Sequence, residues 1–179
     1  MANTLYINNL TEAEIARVEA RLRPNQSSMV GFLGQNESLK EVIHQDAETL
    51  RRLGLTNEQV ADKLEYLVTN PRDAHGFKVE ARTYRGWQED PFQEGWNMPP
   101  HSNADFTVTN SAGEAVSFPG LVIKLIRDYQ FFEGKRTSYR LDPEEAVRVL
   151  QIKPGKEYKP QQSRPVTQPD KPKIVYRGR

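Results

Sequence analysis

The sequence predicts an α+β fold in which helices cover a small antiparallel sheet, built from one strand plus a hairpin. Apolar and polar side chains alternate over 77–84, and a period of two places the apolar set on a buried face of a strand. The alternation recurs in 105–109 and 114–118, and the Asn-Ser-Ala-Gly sequence at 110–113 is typical of a tight turn. From 121 to 132 the apolar residues recur at helical spacing, so we expect an apolar helix lying across the sheet.

Three helices are predicted before the sheet from their N-terminal signals. Thr11 with Glu14, and Thr56 with Gln59, have the spacing of capping boxes. A further helix is expected over 38–52, and it meets the one that follows at a tight corner. Each of these helices has a single apolar stripe, so the second and third should pack as an αα pair against the sheet.

Shorter elements are predicted at the two ends of the folded region. Weak alternation suggests strands at 4–7 and 138–141. Asp142-Pro143-Glu144-Glu145 is a strong helix start, and this last helix should end near Ile152. Residues 153–179 are rich in proline, glutamine and basic side chains, which is typical of a flexible tail. We therefore expect one domain over 1–152 and a basic tail over 153–179.

The composition excludes several classes of protein. The chain has no cysteine, so it has neither a disulfide framework nor thiolate chemistry. Residues 1–10 lack the basic start and apolar run of a secretory signal, and no segment approaches the ~18 apolar residues of a membrane span. We expect a cytoplasmic protein without membrane contact. The net charge is +1, but 153–179 carries eight basic and two acidic residues, so the folded part is mildly acidic.

The loop over 85–103 is the first candidate for a functional site. It is longer than the ~12 residues beyond which unstructured loops become uncommon in compact domains, and it contains both tryptophans of the chain. One interpretation is an Ω-loop that packs its own aromatic side chains over one end of the sheet. The other is a binding surface. Its candidate ligand-binding residues are Trp87, Phe92, Trp96, His101 and Asn103.

A second set of candidates has catalytic side chains. His101, Asn103 and Asp105 are two residues apart, so extended backbone would place all three on one side, and a histidine with a carboxylate can bind a divalent metal. Two ligands and an amide do not define a metal site, and none is predicted. Asp46 lies on the apolar stripe of the second helix, with His44 at its flank. Such an acid usually meets an arginine or the N-terminus of a neighbouring helix, but it would otherwise serve a site.

Three functions from different classes follow from these patterns. We expect a non-catalytic binding or accessory protein that contacts a small ligand or a protein partner through the loop over 87–101. The alternative is a small enzyme centred on His101 and Asp105, with Asp46 or His44 nearby. Such an enzyme could act with or without a bound metal ion. The third is nucleic-acid contact through the basic tail. No Walker or GxGxxG pattern occurs, so no cofactor is predicted.

Overall fold

The computed structural model describes residues 4–72 and 74–158. Within these residues the chain forms a short 3₁₀ helix, five α-helices and one three-stranded sheet, which confirms the predicted α+β class. The elements in chain order are the 3₁₀ helix Tyr6–Asn9, α1 Glu12–Leu22, α2 Leu39–Arg52, α3 Asn57–Thr69, β1 Lys78–Thr83, β2 Ala104–Thr109, β3 Ala115–Pro119, α4 Val122–Tyr129 and α5 Pro143–Val149. None of these helices has the length and apolar character needed to cross a membrane.

The sheet is antiparallel with the order β1-β2-β3, so the predicted hairpin of β2 and β3 is confirmed. The side chain of Asn110 accepts hydrogen bonds from the backbone N–H groups of Ala112 and Glu114, both at 3.0 Å. Gly113 has a φ of +82°, which glycine adopts without steric cost. The Asn110 amide also donates to the Val149 carbonyl at 3.2 Å, and thereby joins the turn to α5.

The helix signals read from the sequence are confirmed at the N-termini. Both predicted capping boxes form, one from Thr11 and Glu14 and the other from Thr56 and Gln59. The Ser38 hydroxyl caps α2 by accepting a hydrogen bond from the backbone N–H of Glu41. These bonds satisfy amide groups that have no partner inside the helix, so the starts are determined locally.

The buried apolar side chains form two clusters. The sheet core lies between the hairpin and helices α3 and α5, and it includes Phe106, Val108 and Phe118. The N-terminal core joins α1 and α2 with Phe32 and Leu33, which come from the loop between those helices. Both belong to the apolar run 29–33 of that loop, and both are buried although they lie outside any helix or strand.

Helix α4 belongs to both cores. Val122 and Ile126 pack in the sheet core, whereas Leu121, just before the helix, and Leu125 pack in the N-terminal core. All four are 1% exposed or less. The amide of Asn57, at the start of α3, donates to the Ile126 carbonyl at 3.1 Å and so joins the two helices where α4 ends.

The end of α4 differs from the expectation of a helix to residue 132. The helix stops at Tyr129 because Gln130 is left-handed, with a φ of +55°. The chain then turns, and Phe131 enters the N-terminal core while Phe132 enters the sheet core. The Gln130 side chain accepts from the Tyr6 backbone N–H at 2.8 Å.

The two weakly predicted strands are wrong. Residues 4–7 lead into the 3₁₀ helix, in which Ile7 is buried in the N-terminal core. Residues 138–141 are turn and irregular backbone. Their hydrogen bonds are not those of a strand, because the Arg140 side chain donates to the Glu133 carbonyl and the Leu141 N–H donates to the Phe132 carbonyl.

The face predicted for the first strand is also corrected. Only Phe77 and Val79 pack against the sheet core, while Ala81 and Thr83 are exposed. Among the described residues β1 pairs with β2 alone and is an edge strand, and the core does not extend to its C-terminal half. Beyond the last helix, Tyr158 packs against the sheet core. The predicted tail lies outside the described residues from position 159 onward.

Truncating α4 at its contact with the sheet core tests how much that helix contributes to stability. We expect Ile126→Ala to lower the free energy of unfolding by about 2–5 kcal/mol, because a fully buried side chain leaves a cavity. Arg17→Ala, at an exposed position of α1, should change it by no more than about 0.5 kcal/mol. Urea unfolding followed by circular dichroism measures both. Equal stability of the two variants would show that α4 is not a core element.

Candidate functional site

One part of the long loop is a structural anchor. Phe92 is 5% exposed and stacks on the Tyr129 ring with centroids 4.1 Å apart. The Arg21 guanidinium donates to the carbonyls of Pro91 and Phe92 at 3.0 and 3.1 Å. The structure therefore places the candidate Phe92 inside the N-terminal core, and not on an accessible surface.

Asp90 ties the same part of the loop to α4. Its carboxylate accepts from the Tyr129 hydroxyl at 2.6 Å and from the Phe92 backbone N–H at 2.9 Å. Lys124 Nζ lies 3.1 Å from the same carboxylate. Burial raises the pKa of Tyr129, and the Asp90 carboxylate raises it further, so the phenol remains a hydrogen-bond donor. All these contacts make Asp90 a buried structural acid.

Both tryptophans of the loop are exposed. Trp87 is 40% exposed and Trp96 is 78% exposed, and their rings meet edge to face with centroids 5.1 Å apart. Within 4–72 and 74–158, the exposed large hydrophobic side chains are Met29, Val30, Tyr84, Trp87, Trp96, Met98 and Tyr139. Three cavities that share Gly86 and Trp87 are lined by all of them except Met29, which adjoins Val30 in sequence.

We call this surface the aromatic face, and define it as Val30, Tyr84, Trp87, Trp96, Met98 and Tyr139. Its side chains come from the loop after α1, the end of β1, the long loop and the segment before α5. The local sequence does not bring these segments together. They meet in the folded chain, where they line three cavities that share Gly86 and Trp87.

The central cavity of the aromatic face has a volume of about 350 Å³. Tyr84, Trp87 and Tyr139 line it together with two acidic residues, Asp105 and Glu133. Its remaining lining residues are Ser28, Val30, Gly31, Phe32, Arg85, Gly86, Gln88, Ser102, Asn103, Ala104, Pro119 and Leu121. A few polar groups among apolar walls are the usual composition of a ligand site.

Asp105 is held at the edge of this cavity by a cross-strand contact. Its carboxylate accepts a hydrogen bond from the Tyr84 hydroxyl at 2.9 Å. The Tyr84 backbone N–H in turn donates to the Asn103 carbonyl at 2.7 Å. The hydrogen bond to Asp105 raises the pKa of Tyr84, because ionising the phenol would remove the donor. The carboxylate therefore has a neutral partner, a phenol.

Glu133 is the most unusual group of the cavity. It is 1% exposed, and the Thr137 hydroxyl at 3.3 Å is its hydrogen-bond donor. Burial raises the pKa of Glu133 to about 8, and the nearby Asp105 carboxylate adds to this effect. At neutral pH the side chain is thus mainly a neutral carboxylic acid. Its φ of +67° is uncommon for a non-glycine residue, and such strain concentrates at functional sites.

Asp46 and Arg140 form a buried ion pair next to Glu133. The guanidinium donates to both carboxylate oxygens, at 2.7 and 2.9 Å, and also to the Glu133 backbone carbonyl at 2.8 Å. Burial raises the pKa of Asp46, whereas the Arg140 contacts lower it. Both terminal nitrogens of Arg140 bond to Asp46, so within 4–72 and 74–158 Glu133 forms no salt bridge, although the Arg140 charge lowers its pKa.

The structure brings some of the predicted site residues together and separates others. Trp87, Asn103 and Asp105 all line the central cavity. His101 packs its ring edge-on against Phe106 and is not among the lining residues of that cavity. His44 lines a different cavity, between α2 and the start of α3. The four catalytic candidates therefore do not form one site.

Sequence reasoning missed Glu133, Tyr84 and Tyr139. The available signal was an acid directly after Phe131-Phe132, where an apolar run predicts a buried position. Within the residues that the structure describes, no group of three or more His, Cys, Asp or Glu side chains is arranged to hold a metal ion.

Comparisons with other proteins give no further assignment. No protein-family model matches the sequence, and neither a curated protein nor a solved structure matches it significantly. The functional conclusion therefore depends on the geometry and chemistry of the aromatic face.

The buried acid predicts an unusual dependence of stability on pH. Between the ordinary pKa of 4.5 and about 8, the folded protein keeps a proton on Glu133 that the unfolded chain has released. The free energy of unfolding should therefore fall as pH rises through this range, by up to about 1.4 kcal/mol per pH unit. Urea unfolding at pH 5.5, 6.5 and 7.5 measures the slope.

Glu133→Gln is the matched control for this slope. The amide keeps the shape of the protonated acid but does not titrate, so the variant should lose most of the pH dependence. If the original chain and the variant gave parallel curves, Glu133 would not be the group that titrates.

Proposed function

We propose that this protein is a non-catalytic binding protein that uses the aromatic face to hold a small ligand or a segment of a protein partner. A single observation carries the proposal. Every large hydrophobic side chain that is exposed in the described part of the chain belongs to the aromatic face or, as for Met29, adjoins it.

Exposed apolar side chains are common when scattered, but their concentration in one patch indicates interaction. The side chains of this patch are also of the types enriched at interfaces, namely tryptophan, tyrosine and methionine. Trp and Tyr most often contribute the largest share of binding free energy. The rings of Trp87 and Trp96 therefore have both the chemistry and the accessibility of binding groups.

The aromatic face is preformed. Backbone hydrogen bonds hold the long loop against the entrance to β2, one from Tyr84 to Asn103 and one from Gln88 to Ser102 at 2.9 Å. The Gln88 side chain donates to the Ser27 carbonyl at 3.2 Å, which connects the loop to the segment that carries Val30. A surface that is already ordered loses less conformational entropy when it binds.

An enzyme remains the second candidate, on a different set of residues from that predicted. Glu133 and Asp105 line one cavity, and the pKa of Glu133 is raised by burial to about 8, which suits a general acid. We favour binding because the apolar surface extends beyond this cavity to Trp96 and Met98, which a reaction at the two acids would not require.

Two expectations from the sequence stay predictions. Nucleic-acid contact through the basic tail concerns residues beyond 158, outside the described part of the chain. The cytoplasmic location rests on the absence of cysteine and of a secretory signal.

A fragment screen by nuclear magnetic resonance tests the proposed function. The chain has two tryptophans, so the ¹⁵N-labelled protein gives two indole N–H signals, which Trp87→Phe and Trp96→Phe assign. We expect most fragments that bind to shift the Trp87 signal, because this side chain borders all three cavities of the aromatic face.

The other cavities provide the internal comparison. One is lined by His44 and Leu50 and another by Lys63 and His75. If binding fragments shifted the backbone signals of these residues and left both indoles unchanged, the aromatic face would not be the binding site.

A further inference from the structure

Within the described residues, neither Asp105 nor Glu133 forms a salt bridge, although Arg82 stands opposite Asp105 in the strand register and the charge of Arg140 acts on Glu133. Asp105 is bonded to the Tyr84 hydroxyl, and Glu133 is bonded to the Thr137 hydroxyl. Arg140, the nearest buried cation, is engaged by Asp46. Both acids line one cavity, and in the described residues their carboxyl groups accept hydrogen bonds from hydroxyl groups alone. An added positive charge is favoured beside such groups.

The aromatic walls are suited to the same charge. A guanidinium or ammonium group is attracted to the faces of tryptophan and tyrosine rings, and the rings of Tyr84, Trp87 and Tyr139 line the cavity. A guanidinium also forms short, charge-assisted hydrogen bonds with carboxylates. Arg85 lines the cavity too and opposes a cation, so the position of the bound charge should be near Asp105 and Glu133.

The surroundings of the cavity indicate that the ligand is larger than the cavity. Trp96 and Met98 are not among the residues that line it, yet they are 78% and 62% exposed. A free small cation would leave both exposed. A polypeptide segment can cover them with apolar side chains while one of its side chains fills the cavity.

We propose that the partner is a protein segment that inserts one arginine or lysine side chain into the central cavity, against Asp105 and Glu133, and covers Trp96 and Met98 with flanking apolar residues. This inference rests on the proposed function and specifies the chemistry of its partner.

Binding of this kind would be coupled to a proton. The groups that act on the Glu133 carboxyl are Asp105, Arg140 and Thr137, with Arg85 also in the lining of the cavity. Because burial keeps the pKa of Glu133 near 8, a basic side chain that binds the carboxylate must displace a proton below that pH. Affinity should therefore rise by up to tenfold per pH unit from pH 6 towards pH 8, and then level off.

Selection of peptides provides the test. A phage library of random dodecapeptides is selected on the full chain at pH 8, and the enriched peptides are synthesised. We expect a shared arginine or lysine with apolar neighbours, and a loss of at least tenfold in affinity when that residue is replaced by glutamine. Fluorescence anisotropy of labelled peptides at pH 6, 7 and 8 measures the dissociation constants.

Variants of the protein then locate the contact. Glu133→Gln should lower the affinity for the peptides at least tenfold at pH 8 and should remove the rise in affinity with pH. Glu58→Gln is the matched control, because Glu58 is exposed in α3 and lines none of the three cavities of the aromatic face. It should leave affinity and pH dependence unchanged. Circular dichroism at pH 8 confirms that both variants are folded.

Three results would overturn the inference, and they are distinguishable. The first result is that the selected peptides lack a basic residue, shift the indole signals and bind Glu133→Gln as tightly as the original chain. This would refute insertion of a basic side chain but would leave the proposed function standing. Equal affinity of N-acetyl-arginine amide and the full peptides would refute a protein segment in favour of a small cation. Peptides that bind with both indole signals unchanged would refute the proposed function as well.

Discussion

The fold depends on the burial of α4 on two sides. A helix whose residues Val122 and Ile126 complete one core while Leu125 completes another cannot move without opening both. The Asn57 amide and the aromatic stack of Tyr129 with Phe92 attach α3 and the long loop to its C-terminal end. The positions of the hairpin, the N-terminal helices and the loop are therefore all defined relative to this one short helix.

The same constraint produces the chemistry of the central cavity. After α4 the chain must send Phe131 and Phe132 into different cores, and the turn that allows this leaves Glu133 buried with a positive φ. A buried carboxyl group close to another acid is unfavourable when ionised. Glu133 lines the central cavity without a salt bridge in the described residues. A second buried acid, Asp46, is bonded through both carboxylate oxygens to Arg140. The two buried acids therefore differ in their partners, which are a guanidinium for Asp46 and a hydroxyl for Glu133.

The long loop has a buried middle and two exposed aromatic parts. Its middle, around Asp90 and Phe92, is packed and hydrogen-bonded like a core segment. The parts around Trp87 and Trp96 extend outward and pair with each other. The packing of Asp90 and Phe92 therefore also fixes the position of the two exposed indole rings.

The sequence by itself determined what depends on near neighbours. The capping boxes at Thr11 and Thr56 and the hairpin turn at Asn110 involve groups two to four residues apart, so local hydrogen bonding specifies them. The wide apolar face of α4 likewise follows from spacing alone. These features were enough to predict the α+β class.

Only the tertiary structure decided which acids and aromatic residues are buried, exposed or brought together. Arg140 and Asp46 are 94 residues apart in sequence, and the meeting of Asp105 with Glu133 depends on how the hairpin packs beside the turn after α4. Phe92 and Trp96 are both aromatic loop residues, yet one is 5% and the other 78% exposed. Burial is a property of the packed chain, and no local pattern records which neighbours a side chain will find.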